Sequence, residues 1–505
     1  MTTLYTNARI HGGMATAMAV EGGRITWLGT DFPGPVANTI DLGGAYVAPA
    51  FVDAHVHATS AGLLRTGLDL TGTESLSDVL DVVRDRAVDT DVLLWGHGWD
   101  ETRWPENRPP TRAELDAVAG NTPVYLSRVD VHSALASTAL VDLAPAARTA
   151  PGWSTEGPLA RDAHHHVRRA ARESITPAQR AAAQLAFLRH AASMGIACVH
   201  ECGGPDISGA DDFAELLSRS GDVPRVVGYW GEFGDLPRGA HGLAGDLFVD
   251  GAFGSRTAAL SEPYSDAPHT SGARYLTAER IADHVVACTE AGHQAGFHVI
   301  GDAAVAEVVV GFQHAEKVLG ESALVGAGHR LEHLEMVIPE QAAELARLGV
   351  TASVQPLFDA YWGGPAGMYA QRLGDRAAAL NPFSMLAAEG VTLALGSDAP
   401  VTQVDPWATV RAAVEHRTPG SGLDRDAAFA AHTAGGWTAA GETGGVLVAG
   451  APATFAVWDA RVDELRTEGR RGRHRDLGSH ELPQLGEAPR CLRTVLDGNT
   501  IYEVP

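Results

Sequence analysis

The middle of this chain alternates two patterns, and that alternation limits the folds open to it. Short, almost continuously apolar runs recur: "AYVAPAFVDAHVH", "GIACVHEC", "PRVVGYW", "DLFVDG", "HQAGFHVIGD", "HRLEHLEMV", "VTASVQP" and "VTLALGSDAP". Helical patterns such as "TPAQRAAAQLAFLRHAASMG", "TAERIADHVVACTEAG" and "AAVAEVVVGFQHAEKVLG" separate most of them. A strand that is apolar at nearly every position leaves neither face for water. Such strands, alternating with helices, predict an α/β fold with a parallel sheet covered on both sides. Eight of them predict a (β/α)8 TIM-like barrel. The link from the third run to the fourth is the weakest, with only "GEFGDLPRGAHGLAG" between them.

Both ends of the chain read differently. The first fifty residues are short strand-like runs broken by Gly pairs, and "GVLVAGAPATFAVWDA" and "CLRTVLDGNTIYEV" near the other end read alike. We expect a small β-sandwich built from both termini, residues 1–50 and 440–505, beside a barrel spanning 51–439. Residues 62–175 break the alternation and read as an insertion after the first barrel strand. Within it Trp95, Trp99 and Trp104 read as packing residues, and "HHH" at 164–166 reads as a solvated helix face. The basic run at 466–480 reads as a solvated loop.

Composition narrows the function classes. With 505 residues, 45% of them hydrophobic, the chain can bury a barrel and a second domain. A net charge of −24 provides no basic surface on average, which argues against nucleic acid and anionic membranes as partners. No apolar stretch approaches a membrane span, and "MTTLYTNARIHGG" lacks the regions of a signal peptide. The four cysteines, Cys198, Cys202, Cys288 and Cys491, are scattered without a C-x-x-C pair. Together these features predict a reduced, cytoplasmic protein acting on a small molecule. A homo-oligomer is left open.

The polar residues that end the apolar runs carry the chemistry. His55 and His57 are two apart, so on a strand both rings point the same way. His298, His333 and Asp398 end the fifth, sixth and eighth runs. Taken singly, each reads as structural, a satisfied histidine, a turn or a helix cap. In a barrel, however, the C-terminal strand ends meet at one mouth. Four imidazoles and a carboxylate gathered there point to a metal site.

These residues, with "APAFVDAHVH", "GWDETRWPENRPPTRAELDAV", "RVDVHSALAS", "LFVDGAFGSRTAAL", "HVIGDAA", "RLEHLEMV", "VQP", "GSDAPV" and "DPWATVRAAV", resemble the amidohydrolase superfamily over essentially the whole chain. The resemblance is to its family-3 branch of YtcJ-like metal-dependent hydrolases, which includes the N-substituted formamide deformylases. It implies that His55, His57, His298, His333 and Asp398 hold the metal, with Asp398 and His333 acting in catalysis. It also implies that the segment carrying Asp130 and His132 approaches the pocket, where both are candidate substrate contacts. Where relatives often have "DGH" and a later Asn, this chain has Val131 and Ser137. Arg256, after the fourth strand, is read as a partner of either a substrate or a structural carboxylate.

One departure is specific to this chain. Many superfamily members bridge two metals with a carboxylated lysine at the end of strand four, and in relatives of this branch a Lys precedes "LF-x-DG". Here that position is Asp246, and the only lysine of the chain, Lys317, lies in a predicted helix after strand five. A lysine carbamate is therefore ruled out by inventory. Asp246, Asp250 and Glu201 are the candidates to bridge or to support the site from behind. One tightly bound ion is favoured, with a second left open. The ligand types suit Zn2+, with Mn2+ and Fe2+ as alternatives. The expected reaction is metal-assisted hydrolysis of a non-peptide C–N bond in an amide, N-formyl compound, carbamate or cyclic amide. The alternatives are a deaminase of a purine- or pyrimidine-like ring and a catalytically silent binding or regulatory relative.

Overall fold

The computed structural model describes the chain except residues 88–91, 129–132, 206, 460–487 and 505. Eight strands form one sheet: β1 (Phe51–Val56), β2 (Ile196–Gly203), β3 (Arg225–Trp230), β4 (Gly242–Leu243), β5 (Gln294–Val299), β6 (Arg330–His333), β7 (Thr351–Val354) and β8 (Thr392–Leu395). Each lies beside the next in sequence, and every pairing is parallel. β1, β2, β5, β6 and β7 are buried at every residue, as strands covered on both faces must be.

The sheet is nearly closed into a barrel where the segment just past β8 meets β1. Val56 bridges to Ala399 in parallel. The Asp398 N–H donates to the His55 carbonyl at 2.8 Å, and the His57 N–H to the Ala399 carbonyl at 2.8 Å. Below this seam the buried Asp53 carboxylate accepts the N–H of Ser397 at 2.8 Å and of His55 at 3.4 Å. Gly396 permits the approach: a Cβ there would stand 2.6 Å from the His55 nitrogen.

The helices pack by the expected spacing. Helix Ala278–Glu290 starts at Thr277, whose hydroxyl accepts the Arg280 N–H, and buries Ile281, Val285 and Cys288 along one face.

The fourth strand differs from expectation. It covers only Gly242–Leu243, upstream of "DLFVDG". That stretch runs on irregularly beside β5, joined to it by two backbone bonds: the Val249 N–H to the His298 carbonyl at 2.9 Å and the His298 N–H to the Leu247 carbonyl at 3.0 Å. Gly245 makes the break, since its φ of 76° lies in the left-handed region that favours glycine. Asp246 therefore follows a strand end instead of starting a strand.

The termini build two more sheets. One orders Arg24–Gly29, Ala17–Glu21, Thr3–Thr6 and Asn38–Asp41; the other orders Arg9–Ile10, Tyr46–Pro49, Phe455–Asp459, Arg490–Leu496 and Asn499–Glu503. Tyr5, Met18, Val20 and Ile25 from the first pack with Val47, Phe455, Val457 and Val495 from the second, giving a small sandwich.

The chain divides into two compact units, Met1–His57 with Leu188–Pro505, and Ala58–Phe187. The second has its own five-stranded sheet and a core that includes Trp99, Trp104 and Leu115. Trp99 and Trp104 each donate their indole N–H to a backbone carbonyl, of Leu126 and Thr73. The triple histidine is only partly a solvated face. His165 and His166 are exposed, but His164 falls on the apolar side with Ala163 and Val167 and lies 2.8 Å from the Tyr125 hydroxyl.

Gly396→Ala is expected to lower stability by about 1–3 kcal/mol, the usual range for overpacking a tight site. A thermal midpoint equal to the wild type would show that the seam between β8 and β1 has slack.

Candidate metal centre

The C-terminal mouth of the barrel gathers six side chains. β1 supplies His55, with His57 just beyond it; β5 supplies His298 and β6 His333; Asp246 follows β4 and Asp398 follows β8. His333 and Asp398 reach inward from left-handed backbone, with φ of 71° and 53°. Such conformations cost about 1–3 kcal/mol each and persist where surrounding structure enforces them.

The six meet closely. His55 Nε2 lies 3.6 Å from Asp246 Oδ1 and 3.5 Å from Asp398 Oδ1. His57 Nε2 lies 3.3 Å from Asp246 Oδ2 and 3.1 Å from Asp398 Oδ1. Ring centroids are 5.1 Å apart for His55 and His333 and 4.5 Å for His298 and His333. Phe248 packs on the His298 ring and Phe358 stacks on His333.

His55 Nε2, His57 Nδ1, His298 Nδ1, Asp246 Oδ1 and Asp398 Oδ1 are buried without a hydrogen-bond partner. Burying so many polar atoms unsatisfied is costly. A cation held between His55 Nε2, Asp246 Oδ1 and Asp398 Oδ1, which face one another, removes part of that cost, so the donor set fits a metal ion. Burial holds the His298 and His333 rings below the ordinary histidine range, hence neutral and able to ligate. Beside these carboxylates the His55 and His57 rings are instead pushed above the ordinary histidine range, and their charge, which a bound cation would replace, outweighs burial and holds the Asp398 carboxyl below the usual carboxylate range.

Behind this layer stand residues that the sequence reading did not single out. The His55 Nδ1–H donates to Glu332 Oε2 at 2.9 Å, which leaves Nε2 with its lone pair toward the two aspartates. Arg330 holds Glu332 by two bonds, Nε to Oε1 at 2.6 Å and Nη2 to Oε2 at 2.9 Å. The same guanidinium donates to the Ala54 carbonyl, lies 3.0 Å from His200 Nδ1 and sits 4.1 Å from the centre of the Tyr229 ring. Burial opposes ionisation of Glu332, yet Arg330 keeps its carboxyl well below the usual range. On the far side His333 Nδ1 lies 2.7 Å from Gln355 Oε1, so it carries the proton and Nε2 is left free to ligate. The available signal was "RLEH": Arg and Glu two apart on a buried strand face the same way and must answer each other.

The other candidates lie elsewhere. Asp250 accepts the N–H groups of Ala259, Ile300 and Gly301 at 2.8, 2.9 and 2.8 Å, tying the post-β4 loop to the end of β5. Burial nonetheless pushes its carboxyl up to about 7. Glu201 is buried but is not one of the groups gathered around these histidines; its neighbour Cys202 lies near His55 and Glu332 instead. Arg256 is engaged by Asp266, Nε to Oδ1 at 3.0 Å and Nη2 to Oδ2 at 2.8 Å, and this pairing holds the Asp266 carboxyl at about 2. Asp130 and His132 lie outside the described residues.

A parallel barrel with imidazoles and carboxylates at its C-terminal mouth is the architecture of a metal-dependent hydrolase. The amidohydrolase family matches residues 38–502, and the chain belongs to that family as a YtcJ-like member of its third branch. It is 26% identical to the putative amidohydrolase YtcJ of Bacillus subtilis, over 80% of each chain. It is 33% identical to the N-substituted formamide deformylase of Arthrobacter pascens, over 28% of each. An uncharacterized metal-dependent hydrolase from Pyrococcus furiosus superposes with a TM-score of 0.76 at 25% identity, covering 91% of this chain and 99% of that one. Among the described residues, no helix is long and apolar enough to cross a membrane.

Glu332→Gln leaves the Arg330 guanidinium buried against a neutral amide. A loss of about 3–5 kcal/mol is expected from breaking such a pair, together with roughly 10–100-fold weaker metal retention from losing the partner of His55. Denaturant unfolding and metal dissociation measure the two. Wild-type values in both would remove Glu332 from its supporting role.

Proposed function

We propose that this protein hydrolyses a non-peptide C–N bond of a small molecule, an amide, N-formyl compound, carbamate or cyclic amide. The observation that carries this reading is the cluster of imidazole and carboxylate donors at the barrel mouth, among which His55 Nε2, Asp246 Oδ1 and Asp398 Oδ1 are buried without partners. His55, His57, His298, His333 and Asp398 would hold a divalent metal, and their mixed nitrogen and oxygen donors suit Zn2+ best, then Mn2+ or Fe2+. Such a metal supplies Lewis acidity and brings the pKa of a water to about 7.

The remaining roles fall to the chain. Asp398, ionised at neutral pH and with Oδ1 unpartnered, accepts the proton of the attacking water and passes it to the leaving nitrogen. His333, its Nδ1 proton committed to Gln355, offers Nε2 as a lone pair and not as a hydrogen-bond donor to the substrate carbonyl. Glu332 keeps His55 in the tautomer that ligates. Phe248 and Phe358, packed on His298 and His333, shield those rings from water. The partial similarity to a formamide deformylase supports C–N cleavage. The acidic composition supports a small-molecule substrate, with neither nucleic acid nor membrane as partner, and the four scattered, unpaired cysteines support a cytoplasmic location.

The test is a turnover screen of the metal-loaded protein against formamides, N-acyl amino acids, cyclic imides and aminopurines. Hydrolysis of one of the first three classes, lost on chelation and restored by Zn2+, is expected. Release of ammonia from aminopurines alone would make the protein a deaminase, and chelator-insensitive turnover would overturn the reading.

Asp398→Asn is expected to lower kcat by at least about 10²-fold, the low end of general acid–base contributions, with the thermal midpoint little changed. Near-wild-type turnover would assign the proton transfer to another group.

A further inference from the structure

We propose that the substrate carries an uncharged, apolar group beside its scissile bond, and that Phe248, Tyr361 and Val401 receive that group at the rim of the barrel mouth. The proposal rests on the metal-dependent reading above and narrows its substrate class.

The first argument is where apolar surface is left uncovered. Phe248, Tyr361 and Val401 are 37%, 49% and 50% exposed. Single exposed apolar residues scattered over a surface are ordinary, whereas several gathered around a site mark a place for a ligand. These three gather. Phe248 comes two residues after Asp246, and its ring centroid is 4.6 Å from that of His298. Val401 comes three after Asp398 and donates its N–H to the Asp398 carbonyl at 2.7 Å. Tyr361 lies on helix Pro356–Trp362, the helix whose Phe358 stacks on His333. The three therefore follow β4, β8 and β7 and border the six gathered side chains from different sides.

The second argument is continuity. Rings run without a break from Phe248 through His298, His333 and Phe358 to Trp362, with successive centroids 4.6, 4.5, 5.7 and 4.8 Å apart. Tyr369 packs edge-on against Trp362 and is itself fixed by the bond from its hydroxyl to Glu335 at 2.6 Å. A wall held this firmly is formed in advance, so an apolar group laid on it gives up water without having to order the protein.

The third argument is charge. The arginines near these segments are already engaged. Arg256 and Arg372 both donate to Asp266, and Arg417 donates to the Ala360 carbonyl on the Tyr361 helix. These three do not offer their charge to a substrate carboxylate, so the rim favours a neutral group over an acidic one.

The test uses the full chain loaded with Zn2+ and titrated calorimetrically with three hydroxamates: acetohydroxamate, benzohydroxamate and the monohydroxamate of succinate. The hydroxamate chelates a bound metal, and its substituent reads the rim. Benzohydroxamate is expected to bind at least about 10-fold tighter than acetohydroxamate, the low end of discrimination by an apolar pocket, and the succinate compound no tighter than acetohydroxamate. Phe248→Ala is expected to erase most of that preference, and so is the double variant Tyr361→Ser, Val401→Ser, whose exposed positions keep the fold if Phe248→Ala does not. Equal binding of acetohydroxamate and benzohydroxamate by the wild type overturns the apolar rim and leaves the proposed function standing. Preference for the succinate compound overturns the neutral substrate class. An undiminished preference in both folded variants takes the role from these residues. A chain that retains no zinc and binds none of the three overturns the metal-dependent reading as well.

Discussion

A guanidinium and a carboxylate buried together inside the barrel set the orientation of the site above them. Arg330 and Glu332 are both fully buried. An unpaired charge in that position would be untenable, so each enforces the other's place. Arg330 is further fixed by the Ala54 carbonyl, His200 and the Tyr229 ring, which ties β1, β2 and β3 to β6 through one side chain. Arg330 takes one acceptor direction on each Glu332 oxygen, and His55 takes the second on Oε2. The tautomer of His55, and with it the direction of its free lone pair, follows from an ion pair one layer below.

The layer above is assembled against local preference. His333 and Asp398 sit in left-handed backbone, and several buried polar atoms among the six gathered side chains lack partners. A protein selected for stability alone would relieve these features. Here the nearly closed sheet enforces them: the backbone bonds between β8 and β1 hold Asp398 to His55, and Asp53 clamps the same seam from below. The mouth of the barrel is strained and underpartnered because the staves beneath it are not.

Much of this was legible in the chain itself. Fully apolar runs alternating with helices implied the eight parallel strands, because a strand without a polar face must be covered twice. The polar residues closing those runs implied that His55, His57, His298, His333 and Asp398 would face one mouth. The fourth strand was misplaced because apolar "DLFVDG" looks more like a strand than the two residues Gly242–Leu243 that form it; the turn at Gly245 is a matter of dihedral angle, which composition does not display. His164 was misread for a similar reason. A polar residue on the inner face of a helix depends on a partner, here Tyr125, nearly forty residues away in sequence.

The sequence by itself determined the barrel, the sandwich made from its two ends, the family and the absence of any lysine at the strand-four end. These follow from periodicity and inventory, which are properties of residues taken along the chain. Only the tertiary structure decided that Asp246, and not Asp250 or Glu201, joins the histidines, that Arg256 belongs to Asp266, and that Glu332 stands behind His55. Three carboxylates near strand ends look alike in one dimension. Which of them faces the histidines is set by where the turn at Gly245 brings the backbone and by the backbone N–H groups that have already claimed Asp250.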